Sequence, residues 1–120
     1  MMATLKTALV LAVGLIFLGV SSSWAKTPDT SAATYKQNCS RCHGDSGRGD
    51  GPAVKLLKVK PPDMSDKTYM SKVPDADIYE AIEKGGTAIG KSKLMPAYEG
   101  KLKKNEIEDL VRYIRGFSEH

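Results

Sequence analysis

Hydrophobic positions divide the chain into one continuous apolar run, Ala8 to Val20, and several later segments where they recur periodically. The last of these has the clearest period. Ile107, Leu110, Val111 and Ile114 recur at intervals of three and four, and Tyr113 and Phe117 widen the same face. This predicts an amphipathic helix, with Asn105 and Glu108 forming nearly a capping box at its start and Gly116–Phe117 marking its end. Ile78, Ala81 and Ile82 make a second stripe over Asp75–Lys84. Pro74 suits a first turn, Asp75 and Asp77 favour the positive end of the helix dipole, and Gly85 and Gly86 end the element. A further helix is predicted from a Thr30 or Ser31 cap through Asn38, and a short one over Ala53–Leu57 with Pro52 as its first residue. Between them lie a glycine-rich loop from Gly44 to Pro52, an extended stretch from Lys58 to Asp63 with Pro61 and Pro62, and a loop through Gly90 to Pro96. No alternating pattern competes, so an all-α chain is expected.

The apolar run has a separate meaning. Lys6 precedes it, and Ser23-Trp24-Ala25 follows as a small-x-Ala end. That combination describes a secretory signal peptide, and the run is shorter than the ~20 residues of a spanning helix. Residues 1–25 are therefore expected to be a signal peptide and residues 26–120 a single domain, without stable membrane insertion of the mature chain. No cysteine lies near the cleavage site to carry a lipid anchor.

Charge changes the picture only modestly. The 120 residues carry 18 basic and 14 acidic side chains, a formal net charge of +4. Cleavage after Ala25 removes Lys6 and no acidic residue. The remaining mild positive charge lacks the dense basic stripe of a nucleic-acid binder. A domain this small has a marginal core of its own, which a large flat apolar cofactor would enlarge.

Both cysteines of the chain and one of its two histidines sit in Cys39-Ser40-Arg41-Cys42-His43. C-x-x-C-H is the attachment signal for c-type haem. At the end of a helix, intervals of three and four place these side chains on one face. Two thiols can then tether a haem through its vinyl groups, and His43 can bind the iron. Three other readings fit less well. A thioredoxin-like pair needs a preceding strand. A structural zinc site needs four ligands, and His120 is a distant fourth. A disulfide would close a small strained loop. The glycine-rich loop is not a phosphate loop, because it lacks the Gly-Lys-Ser/Thr ending. An export signal and a haem-attachment motif reinforce each other, since bacterial thioether formation takes place outside the cytoplasmic membrane. The periplasm is the expected location.

On the far side of the iron the candidates are Met64, Met70, Met95 and His120. A methionine is ordinarily a gap-filler in a core. Met95 stands out because Pro96 follows it and it lies in a loop between two helices. Met64, also near prolines, is the reserve.

Taken together, these residues resemble the class I cytochromes c, small monohaem electron carriers. The likeness covers nearly all of residues 31–117. It rests on Tyr35 four residues before Cys39, the Cys39–His43 motif, Gly51-Pro52-Ala53, Leu94-Met95-Pro96-Ala97-Tyr98, and Leu110-Val111-Arg112-Tyr113-Ile114. The resemblance implies about four helices wrapped round one covalently attached haem c, with His43 and Met95 as the iron ligands. It implies that the Pro52 carbonyl accepts a hydrogen bond from the second nitrogen of His43. It also implies a close crossing of the first and last helices, bringing Tyr35, Leu110 and Tyr113 together. Ser31 stands where the family usually has glycine.

The implied role is one-electron transfer between a donor and an acceptor by a monomer that is not itself an enzyme. No nucleophile–base pair, carboxylate pair or substrate pocket is legible. Lysines at 55, 58 and 60, at 91 and 93, and at 101, 103 and 104 are either a docking rim for acidic redox partners or ordinary solvated surface. Two alternative functions remain open. An open sixth position would suit a gas sensor or weak peroxidase, and the same domain could serve as a haem subunit of a larger oxidoreductase complex.

Overall fold

A computed structural model describes residues 29–120. The expected signal peptide lies outside them. In chain order the elements are α1 (Ser31–Asn38), α2 (Ser40–His43), a 3-10 turn at Pro52–Leu56, α3 (Lys67–Met70), α4 (Asp75–Lys84), a second 3-10 turn at Gly86–Ile89, and α5 (Lys104–Gly116). Among the described residues there is one isolated bridge, Glu99 with Leu102, and no strand. The all-α expectation holds.

Several boundaries differ from the pattern, each for a local reason. Thr30 sits at the start of α1 but makes no side-chain cap; the Asp29 carboxylate accepts from the Ser31 amide at 2.9 Å instead. Helix α5 begins at Lys104 and not after Asn105, because the Glu106 carboxylate reaches back to the Lys103 amide at 2.7 Å. Helix α3 has only four residues, too few to show a period. It is set by Asp66, whose carboxylate accepts from Thr68 and Tyr69 amides at 2.8 and 3.1 Å. The segment after α4 coils into a 3-10 turn where the sequence predicts an open loop.

The core comprises Tyr35, Met64, Met70, Ile78, Ile82, Ile107, Leu110, Val111 and Ile114. The predicted stripes of α4 and α5 face each other, and α1 crosses α5. Tyr35 is the pivot of that crossing. Its ring lies 5.3 Å from Tyr113 and 5.1 Å from Phe117, centroid to centroid. Its hydroxyl donates to the Gly44 carbonyl at 2.8 Å, which satisfies a buried polar group and anchors the start of the glycine-rich loop. Ser31, in the place of the family's glycine, is buried.

The long loop carrying Met95 is held against the end of α4 by close backbone approach. Gly85 has φ +86°, which glycine tolerates best, and a Cβ there would come within 3.0 Å of the Met95 carbonyl. A Cβ on Gly86 would collide with the Ser92 carbonyl and press on Met95 Cβ at 3.1 Å. The Gly86 amide donates to the Met95 carbonyl at 3.1 Å, and Lys91 donates to Gly86 at 2.7 Å.

Two outcomes follow. Leu110→Ala, at a fully buried position, is expected to cost about 2–5 kcal/mol in a denaturant titration. A cost below about 1 kcal/mol would mean that α5 does not seat there. Gly86→Ala is expected to cost about 1–3 kcal/mol from overpacking and to strip exchange protection from the residue 86 and Lys91 amides. Unchanged protection would show that the Met95 loop does not rest on Gly86.

Candidate haem-binding site

The Cys39–His43 motif does not continue α1 directly. Backbone hydrogen bonds step from Cys39 N–H to the Tyr35 carbonyl, then from Cys42 and His43 to the Cys39 carbonyl at 3.1 and 2.9 Å. Cys39 is the joint, with φ −117° and ψ −38°. The Ser40 hydroxyl covers the Lys36 carbonyl across the interruption at 2.7 Å. The three motif side chains thus leave a short separate turn, α2, where the sequence reads one running helix.

Both thiols are free, so the disulfide reading is not realised. Burial, and secondarily the neighbouring Cys42, push the Cys39 thiol up to about 11. A nucleophilic redox cysteine has the opposite shift, toward the thiolate, so the thioredoxin-like reading loses its chemistry as well as its strand. Among the described residues no three His, Cys, Asp or Glu side chains gather as a metal cluster. His120 lies exposed at the chain end.

His43 is the unusual group. Burial lowers its pKa below the ordinary imidazole value, favouring the neutral ring. Its Nδ1 is buried and has no hydrogen-bond partner. The bond to the Pro52 carbonyl implied by the resemblance is therefore not made in this structure. Pro52 is nonetheless kept nearby. The Gly51 amide donates to the Cys42 carbonyl at 3.3 Å, and a Cβ on Gly51 would collide with the carbonyls of Ser40 and Arg41. An orphaned buried ring nitrogen beside two free thiols is a donor set that fits a haem.

The methionines separate cleanly. Met64 and Met70 are buried in the core, the usual use of methionine. Met95 is only partly buried, in the loop that leans on Gly85 and Gly86, and packs against the core from its edge. Three residues on, the Tyr98 hydroxyl donates to the Asn38 carbonyl at 2.9 Å. Burial and then Cys39 and Cys42 raise the Tyr98 pKa, which keeps this hydroxyl a donor and places it beside the motif. Sequence reasoning missed the contributions of Gly51, Gly86 and Tyr98. The glycines were legible only as a loop residue and a helix end, and nothing in the spacing ties Tyr98 to Asn38.

Comparison with known proteins agrees with this geometry. Residues 26–114 match the family model described as cytochrome c oxidase, cbb3-type, subunit III. The chain is 29% identical over 80 residues to the cbb3-type cytochrome c oxidase subunit FixP of Bradyrhizobium diazoefficiens, covering 67% of this chain and 24% of that protein. A FixP of another Bradyrhizobium strain gives 29% over 83 residues and 25% of its length. The chain thus spans about a quarter of these oxidase subunits. It is 31% identical over 88 residues to cytochrome c6 of Anabaena variabilis, covering 73% of this chain and 88% of that one. The solved KustC0563 c-type cytochrome superposes with a TM-score of 0.61 at 27% identity, over 74% of this chain and 98% of the other. With its helices wrapped about a C-x-x-C-H turn, and with relatives of this kind, the chain belongs to the class I cytochrome c family.

Proposed function

We propose that this protein is an exported, monomeric c-type cytochrome that carries single electrons between redox proteins in the periplasm. Cys39 and Cys42 are the residues that would tether one haem per chain through thioethers, and His43 and Met95 those that would ligate its iron. The observation carrying this reading is the Cys39–His43 turn, in which backbone bonds from Cys42 and His43 to the Cys39 carbonyl gather two free thiols and one partly buried imidazole whose neutral form is favoured. When bound, the haem supplies a one-electron iron couple, whose potential a methionine on the sixth side raises relative to two imidazoles.

The chain's own residues do the rest. Gly51, bonded to the Cys42 carbonyl, keeps Pro52 near His43. Gly85 and Gly86 set the depth of the Met95 loop. Lys55, Lys58 and Lys60 alternate with the exposed Leu56 and Val59, and Lys91 and Lys93 precede the exposed Leu94. Apolar side chains among lysines suit brief encounters with an acidic partner.

One observation favours a second reading. The FixP relatives are subunits of an oxidase, so this domain could work within such a complex. A protein that purifies alone at its own mass supports the free carrier. A stoichiometric second polypeptide supports the subunit.

Optical spectra of the purified protein, oxidised and reduced, test the site. A low-spin ferric spectrum with a far-red iron–methionine band is expected, lost in Met95→Ala and kept in Met64→Ala. A high-spin spectrum that shifts with little carbon monoxide or cyanide would instead mean an open iron, and a sensor or peroxidase role. The docking surface has its own test. Electron transfer with the physiological partner is expected to slow as salt rises through the range that screens surface charge, and a flat profile would remove the lysines from docking.

A further inference from the structure

We propose that Tyr98 is a positioning residue whose hydroxyl latches the Met95 loop onto the Cys39–His43 segment. This rests on the reading of Met95 as the sixth ligand. The interruption of the helix at Cys39 creates the acceptor. Because the ladder steps from Tyr35–Cys39 to Cys39–His43, it passes over the Asn38 carbonyl at the end of α1. A helix-terminal carbonyl needs another donor. The Tyr98 hydroxyl supplies it at 2.9 Å, from sixty positions further along the chain. Among the described residues this is the only hydrogen bond joining residues 91–102 to residues 31–43.

Tyr98 is itself held firmly enough to act as a latch. Its amide donates to the Ile82 carbonyl at 2.9 Å, and Glu99 donates to Glu83 at 2.9 Å, fastening the backbone to the end of α4. Its carbonyl accepts from Lys101 and Leu102 at 2.9 and 3.0 Å in the turn leading to α5. The Lys101 ammonium lies 5.8 Å from the ring centroid. One residue thus ties α4, the approach to α5 and the end of α1, three positions after Met95 and with its acceptor next to Cys39. Any opening of the loop that withdraws Met95 from the motif must break this bond or strain it.

The test uses the haem-loaded protein and imidazole as a competing iron ligand. Wild type, Tyr98→Phe and Ile107→Val are titrated while the far-red band is followed, and their global stabilities are measured by circular dichroism in denaturant. Ile107 is a core residue of α5, so Ile107→Val lowers global stability without removing the latch. Tyr98→Phe is expected to keep the far-red band without imidazole. It should lose that band at imidazole concentrations about threefold to tenfold lower than wild type, the size of one net hydrogen bond. Ile107→Val should titrate as wild type. The latch is overturned if Tyr98→Phe also titrates as wild type, or if Ile107→Val shifts as far. If the wild type lacks the far-red band, the Met95 reading has failed and the latch with it. If that band is present and lost in Met95→Ala while Tyr98→Phe shows no shift, the latch alone has failed.

Discussion

The packing of Tyr35 at the crossing of α1 and α5 is the constraint on which the remaining geometry depends. Its ring is enclosed by Tyr113 and Phe117, and aromatic pairs at these centroid distances contribute beyond the area they bury. Its hydroxyl would be costly to bury alone, and the Gly44 carbonyl satisfies it. That bond links the core to the first residue of the glycine-rich loop. Since Gly44 directly follows His43, anchoring one orients the other. A single side chain therefore joins the hydrophobic interior, the helix crossing and the motif.

Around this pivot the loops are placed by what glycine lacks. Gly51 lies against the carbonyls of α2, and Gly86 against the backbone before Met95. In each case a side chain would push away a segment that has to come close. Arg115 performs a complementary task with charge. Its guanidinium donates to the carbonyls of Met70 and Val73 and to the Asp75 carboxylate. It closes the turn between α3 and α4 and holds Met70 in the core. The Asp75 carboxylate is largely exposed, so the ion pair contributes little by itself; the bonds to the carbonyls define the turn.

Hydrogen-bonding supply and demand then account for the site. Interrupting the helix at Cys39 frees carbonyls that side chains must cover: Ser40 takes Lys36, and Tyr98 takes Asn38. The same turn leaves the His43 ring partly buried, with its Nδ1 shielded and unpartnered. The neutral form of the ring is favoured, beside a Cys39 thiol whose desolvation favours the protonated form.

By itself the sequence determined the helical class, the stripes of α4 and α5, the motif and the family. Each is carried by local spacing, and apolar periodicity and C-x-x-C-H need no knowledge of distant residues. The roles proposed for Cys39, Cys42, His43 and Met95 rest on the same kind of local spacing. Only the tertiary structure decided that Met64 and Met70 fill the core, that α2 is a separate turn, and that Nδ1 of His43 has no partner. It also decided that Gly86 admits the Met95 backbone against the end of α4 and that Tyr98 bonds to Asn38. Those facts depend on close approach between segments far apart in the chain. A glycine that ends a helix and a glycine that admits a passing backbone look the same in one dimension.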